Sequence, residues 1–135
     1  MGGLSNIELV TLREGGHAAA SSTLLLVHAA GASVLSYLPL VEGLHHRHRI
    51  LAIEDTSLST DVEVELHSID AVADAAAALS LPALRSSPVC VVAGWSYGGT
   101  VAVSLAARLQ RGGVAVGSVV LIDAPLQLAD EPCSL

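Results

Sequence analysis

Charge is scarce in this sequence, and positive charge scarcer still. Charged residues make up 14% of 135, with 6 Lys plus Arg against 13 Asp plus Glu. So little charge beside 52% apolar content excludes a disordered tail, which needs the reverse balance. The net charge of −7, with basic residues scattered, argues against a nucleic-acid partner, because phosphate binding needs a basic patch. Aromatic side chains are nearly absent: no Phe, 2 Tyr and 1 Trp. Ala, Leu and Val carry the apolar content, and such small side chains suit helices packed closely on a sheet. The two cysteines, Cys90 and Cys133, lack a spacing motif, which excludes a disulfide framework and favours a reduced, cytoplasmic setting. The longest apolar stretches, Thr23 to Ala32 and Val114 to Ala124, fall short of the roughly 18 residues of a membrane span. No membrane partner is therefore expected. Met1 to Val10 lacks the basic region and apolar run of a signal peptide. The length suits one domain with a real core.

What is present alternates between short apolar runs and helical patterns. Ile7 to Leu12 reads as a first strand, followed by a Gly15-Gly16 turn. Thr23 to His28, Arg49 to Ile53, Val89 to Ala93 and Ser118 to Ile122 read as strands buried on both faces, since none alternates with polar residues. Ser33 can cap a helix to about Leu44, kinked or restarted at Pro39. Glu54 to Glu65 reads as a solvated loop. Ser68 can cap a helix through the alanine-rich stretch to Leu79, with Asp70 in its first turn. Pro82 and Pro88 then bracket a loop. Ser96 to Gln110 reads as a helix stopped by Gly112-Gly113. Strands alternating with helices imply parallel βαβ units in a three-layer α/β sandwich. Active groups in such sheets gather at the carboxyl ends of the strands.

One segment carries chemistry. Gly94-Trp95-Ser96-Tyr97-Gly98 matches G-x-S-x-G, with a strand before it and a helix after it. That is the context of a nucleophile elbow, where a sharp turn lifts the serine hydroxyl out of the sheet. Glycines at positions 94, 98 and 99 leave room for strand and helix to pass closely. The helix N-terminus adds unpaired N–H groups near a developing oxyanion. The plainer reading is a glycine-rich turn with an incidental serine. The cluster His45, His46, Arg47 and His48 has no carboxylate or cysteine to complete a metal-ligand set, so it reads as a solvated helix end.

The chain resembles the thioesterase domains that end nonribosomal peptide and polyketide synthases, and their free-standing relatives. Leu25-Leu26-Val27-His28-Ala29-Ala30-Gly31 resembles the family's strand and oxyanion turn. Tyr37-Leu38-Pro39-Leu40 resembles its Tyr-x-Pro-Leu helix. Ala93 to Gly99 and Leu121-Ile122-Asp123-Ala124-Pro125 resemble its nucleophile and acid segments. The resemblance covers nearly the whole of residues 1–135 and implies an α/β-hydrolase fold with a mostly parallel sheet. It implies an acyl chain carried as a thioester on an acyl carrier protein or on CoA, through a phosphopantetheine arm, with no cofactor of the domain's own. It gives Ser96 the nucleophile role, the backbone N–H groups of Tyr97 and Ala30 the oxyanion hole, and Asp123 the acid role. Asp123 lies 123 − 96 = 27 residues beyond the serine, and its plainer reading is a turn aspartate before Pro125.

The family order is Ser, Asp, then His. After Asp123 there remain 135 − 123 = 12 residues and none is His; all 6 histidines precede Ser96. A full single-domain hydrolase runs to roughly 200–250 residues. The expectation is thus a partial domain lacking the lid, the C-terminal strands and the catalytic histidine, with impaired activity. Its strand 118–122 should lie at an uncovered edge, open to self-association or to a partner that supplies the missing half. Two other functions stay open: a non-catalytic remnant that binds an acyl carrier or a partner chain, and a different serine hydrolase such as a carboxylesterase.

Overall fold

The computed structural model describes residues 6–15, 22–44, 47–56 and 68–124. Strands β1 (Ile7–Arg13), β2 (Thr23–Val27), β3 (Arg49–Asp55), β4 (Cys90–Trp95) and β5 (Val116–Ile122) form one sheet in the order β1-β3-β2-β4-β5. β1 pairs antiparallel with β3, and every other pairing is parallel. Helix α1 (Leu38–Gly43), α2 (Ile69–Leu84) and α3 (Tyr97–Arg111) complete the described elements, with a 3-10 turn at Val34–Tyr37 leading into α1.

Alternation along the strands sends successive side chains to opposite faces and so makes two cores. Leu25, Val27, Leu51, Ile53 and Val92 pack with Val72, Ala76, Val101 and Leu105 of α2 and α3. Leu26, Ile50, Ala52 and Ala93 face the other way, against Val34, Tyr37 and Val41. The three layers expected from the sequence are present. Their glycines, alanines and valines let α3 run close to β4 and β5.

Several boundaries differ from the sequence reading. β3 continues through Glu54 and Asp55, so the acidic stretch begins inside a strand; residues 57–67 lie outside the described set. Gly16, His45, His46, Pro125 and Cys133 lie outside it as well. Pro39 occupies the first turn of α1, where its missing N–H leaves no bond unmade. The loop expected between Pro82 and Pro88 is wrong at its start, because α2 runs through Pro82 to Leu84. Pro82 forfeits one backbone bond there, and burial of Leu84 at 0% exposure holds the last turn against the core. Arg49 reinforces it, donating to the Ala83 carbonyl at 2.6 Å and to Ser87 Oγ at 2.9 Å.

The strand read over Ser118 to Ile122 is present, but it is not buried on both faces. β5 is the edge of the described sheet, and Ser118, Val119 and Val120 are exposed. An apolar run marks a strand and leaves open which neighbours it has. No helix among the described residues is long and apolar enough to cross a membrane.

Candidate active site

β4 ends at Trp95 and α3 begins at Tyr97, so a single residue makes the turn. That residue is Ser96, at φ 54 and ψ −122, a region that side chains other than glycine's rarely enter. Its N–H donates to the Ile122 carbonyl at 2.9 Å, and its carbonyl accepts from Gly99 N–H at 2.9 Å. The strained residue is thus tied on one side to β5 and on the other to α3.

The surrounding glycines are steric requirements. A Cβ at Gly94 would lie 2.1 Å from the Gly98 carbonyl oxygen. One at Gly98 would lie 2.3 Å from the Val27 carbonyl oxygen and 2.5 Å from that of His28. One at Gly99 would meet the Ala124 Cβ at 2.3 Å. The elbow therefore touches the end of β2 and the segment after β5 with backbone alone. Trp95 lies beside it at 38% exposure.

The turn after β2 is held by side chains. Ala32 N–H donates to the Ala29 carbonyl at 3.1 Å, closing a turn with Gly31 at φ 78. Ala30 lies in this turn, exposed, with its peptide on the same carboxyl edge as Ser96. Beneath it His28 is buried at 1% exposure. Its Nδ1 lies 2.8 Å from the Ala29 carbonyl, and its Nε2 accepts from Asp55 N–H at 2.9 Å. Those two bonds assign the proton to Nδ1. Glu54 stands 3.5 Å from the same Nε2 and accepts from Val34 N–H at 2.8 Å. Tyr37 donates its hydroxyl to the Val27 carbonyl at 2.6 Å. Burial pushes the Tyr37 hydroxyl up to about 12, against a smaller pull from the Trp95 backbone.

Asp123 follows β5, exposed and at φ 48. Asp tolerates the left-handed region better than most residues. Among the described residues Ser96 and Asp123 are the non-glycine positions of positive φ, and they terminate neighbouring strands. The structure thus brings Ser96, Tyr97, Ala30 and Asp123 to one carboxyl edge of the sheet.

No described histidine joins them. Both ring nitrogens of His28 are engaged below the turn. His48 Nδ1 pairs with Ser22 Oγ at 2.8 Å, at the amino ends of β2 and β3. A cavity of about 230 Å³ opens at that opposite end, lined by Ser22, Thr23, Leu24, Leu44, His48 and Val91. Among the described residues no group of three or more His, Cys, Asp or Glu could hold a metal ion.

Three functional details escaped the sequence reading. Glu54 supports the first turn after β2, the Tyr37 hydroxyl reaches back to β2, and the Tyr97 hydroxyl is buried without a partner among the described residues. Burial, then the charge of Asp55, raises the Tyr97 hydroxyl above its ordinary value. The Tyr-x-Pro-Leu segment was a signal for the second. Nothing local signals the other two, because the bond to Glu54 and the burial of Tyr97 both depend on distant elements.

Several known proteins are similar to this chain. Orsellinic acid synthases from Armillaria mellea and Armillaria ostoyae are each 42% identical over 67 residues, covering 50% of this chain and 3% of their own length. The Vlm2 thioesterase domain superposes with a TM-score of 0.68 at 22% identity, over 94% of this chain and 52% of that one. A thioesterase domain from the nocardicin cluster, NocB, gives 0.67 at 21% identity, over 90% and 51%. At such identities the two solved structures speak for the fold: an α/β-hydrolase-type sheet. The chain spans about half the length of those solved domains and a small fraction of the curated synthases. A family profile described as "Thioesterase domain" matches residues 22–131, from the start of β2 to beyond Asp123. With that match over most of its length, the chain belongs to the thioesterase domain family.

Proposed function

We propose that this chain is the nucleophile-bearing part of a thioesterase that takes acyl groups from a carrier-protein or CoA thioester. The observation that carries the reading is the backbone of Ser96, at φ 54 between β4 and the N-terminus of α3. Strain of this kind persists only where the surroundings over-determine it, and it concentrates at functional sites. In the reading, Ser96 Oγ attacks the thioester carbonyl and the pantetheine thiol leaves, giving an acyl-Ser96 ester. The N–H of Tyr97, at the first position of α3, has no acceptor within the helix and can donate to the oxyanion. The N–H of Ala30 is the second donor. Asp123 would orient a histidine that the 135 residues do not supply beyond it. The synthase relatives support a carrier-borne substrate. The same reading keeps the chain in the cytoplasm, with no cofactor beyond the substrate's phosphopantetheine arm and with self-association through β5.

Loss of the triad histidine in a related type of site removes about 10⁶ of kcat, leaving about 10³–10⁴ over water from the oxyanion hole and binding. The expected outcome is therefore slow acylation with little turnover. The test is intact-mass measurement of the chain incubated with an acyl-pantetheine thioester, beside Ser96→Ala. A mass increase that depends on Ser96, with slow release, supports the reading. Robust turnover lost in Ser96→Ala would show that another group supplies the base. A second reading, a domain that binds the carrier without reacting, draws on the described histidines, His28 and His48, being engaged away from Ser96. Carrier binding with no acyl adduct on Ser96 would favour it.

A further inference from the structure

β2 and β4 run parallel and in register as far as Val27 opposite Gly94, and there they part. β2 turns into the segment of Ala29 and Ala30, and β4 turns into Ser96. The gap between these two turns is the distance between the proposed oxyanion donor and the proposed nucleophile. Two features converge on that fork. Gly98 brings α3 so near that a Cβ would overlap the carbonyl oxygens of Val27 and His28, at 2.3 and 2.5 Å. It sets how closely the turns can approach, yet a glycine cannot pull them together. The second feature is Tyr37. Its ring is 4% exposed in the core beside Leu26 and Ala93, side chains of the two diverging strands. Its hydroxyl donates to the Val27 carbonyl at 2.6 Å, on the β2 side of the fork. On the β4 side its ring lies in one core cluster with Ala93, three residues before Ser96.

The backbone that carries Tyr37 is itself fixed. Ser33 Oγ accepts from Leu35 N–H at 3.2 Å and caps the 3-10 turn that ends at Tyr37. Glu54 holds Val34 at the turn's first residue. The phenol therefore reaches the fork from an anchored base.

We propose that Tyr37 is a positioning residue: its ring packs with Ala93 of β4 while its hydroxyl holds the Val27 carbonyl of β2, and together they set the separation of the oxyanion turn from Ser96. Gly98 sets the lower limit of that separation, and Tyr37 prevents it from widening. The inference rests on the roles given above to Ser96 and Ala30. Its physical part, the coupling of the two turns through one side chain, holds whether or not the chain turns over.

The test uses the full chain labelled with ¹⁵N, as wild type and as Tyr37→Phe, which keeps the ring and removes the hydroxyl. Hydrogen exchange and amide resonances are read without any substrate. The expected result is exchange about three- to tenfold faster at the Ala32 and Ser96 amides, one bonded in each turn, the range for one lost hydrogen bond. The resonances of Ala29, Ala30, Ser96 and Tyr97 should shift together, while exchange at Leu105 and Leu109 stays unchanged. Changes confined to residues 36–38 would overturn the proposal. So would a variant that unfolds, or one whose exchange rises as much at Leu105 as at Ser96, because Tyr37 would then serve the core alone. A second arm measures Ser96 acylation by an acyl-pantetheine. There Tyr37→Phe should lower the rate about tenfold with KM little changed, as expected when a donor is misplaced. Wild type that forms no adduct refutes the reading of Ser96, and the exchange arm still decides on Tyr37.

Discussion

At the elbow after β4, side chains are excluded; at the turn after β2, side chains hold the backbone in place. Gly94, Gly98 and Gly99 each sit where a Cβ would overlap atoms of another segment. The turn after β2 has one glycine with a special conformation, Gly31, and nothing lies within 4 Å of where its Cβ would be. Its geometry comes instead from His28, Glu54 and Tyr37 reaching in from below. Two turns on one sheet edge are thus built by opposite means. The first should fail abruptly when anything is added, and the second by degrees when something is removed.

The largest effect is expected at Gly98. Both atoms that a Cβ would meet are backbone oxygens, which cannot rotate away. Gly98→Ala should destabilise by about 3 kcal/mol or more, measured by denaturant unfolding. A loss under about 1 kcal/mol would show that the elbow gives more readily than its contacts imply. His28→Ala tests the other turn. It strands the buried Asp55 N–H and frees the Ala29 carbonyl, and should lower stability by about 2–3 kcal/mol. An unchanged unfolding midpoint would remove His28 from the support of this turn.

The next effect depends on pH. Burial raises the Tyr37 hydroxyl from 10.0 to about 12 and the Cys90 thiol from 9.0 to about 11. In both, the folded state holds its proton more tightly than the unfolded chain. Their contribution is therefore complete below the unfolded values and is lost as pH rises through the folded ones. Unfolding midpoints should fall first between pH 9 and 11, from Cys90, and then between pH 10 and 12, from Tyr37. Cys90→Ala should remove the earlier part of the fall, and Tyr37→Phe the later part. A flat profile across pH 9 to 12 would contradict both. The smallest effect is expected at Gly31. Gly31→Ala meets no atom and is opposed only by φ 78, so about 1–2 kcal/mol is expected, with Gly31→Asn closer to wild type. Equal losses for Ala and Asn would mean that backbone conformation is not what matters there.

The two turns also differ in how far they could be read in advance. The elbow was legible because its requirements are local: five consecutive residues specify it, and a strand and a helix flank it. Asp123 was placed through the resemblance alone, since nothing local separates it from any turn aspartate. The turn after β2 was legible as a turn, from Gly31, but not in its support. Asp55 lies 27 residues from His28, and Val27 lies 10 from Tyr37, so only the pairing of β2 with β3 and the packing of the 3-10 turn against β2 make those partners. α2 misled the reading at Pro82, because local propensity stops a helix there while burial of Leu84 continues it.

By itself the sequence determined the identity of the elements and the elbow at residues 94–99. Apolar runs, caps and glycines act over a few residues, and their physics is the same in any surroundings. Only the tertiary structure decided that α2 continues through Pro82 to the buried Leu84, and that the hydroxyl of Tyr37 stands where β2 and β4 part. Burial and hydrogen-bond partnership are properties of pairs of segments, and no segment carries them alone.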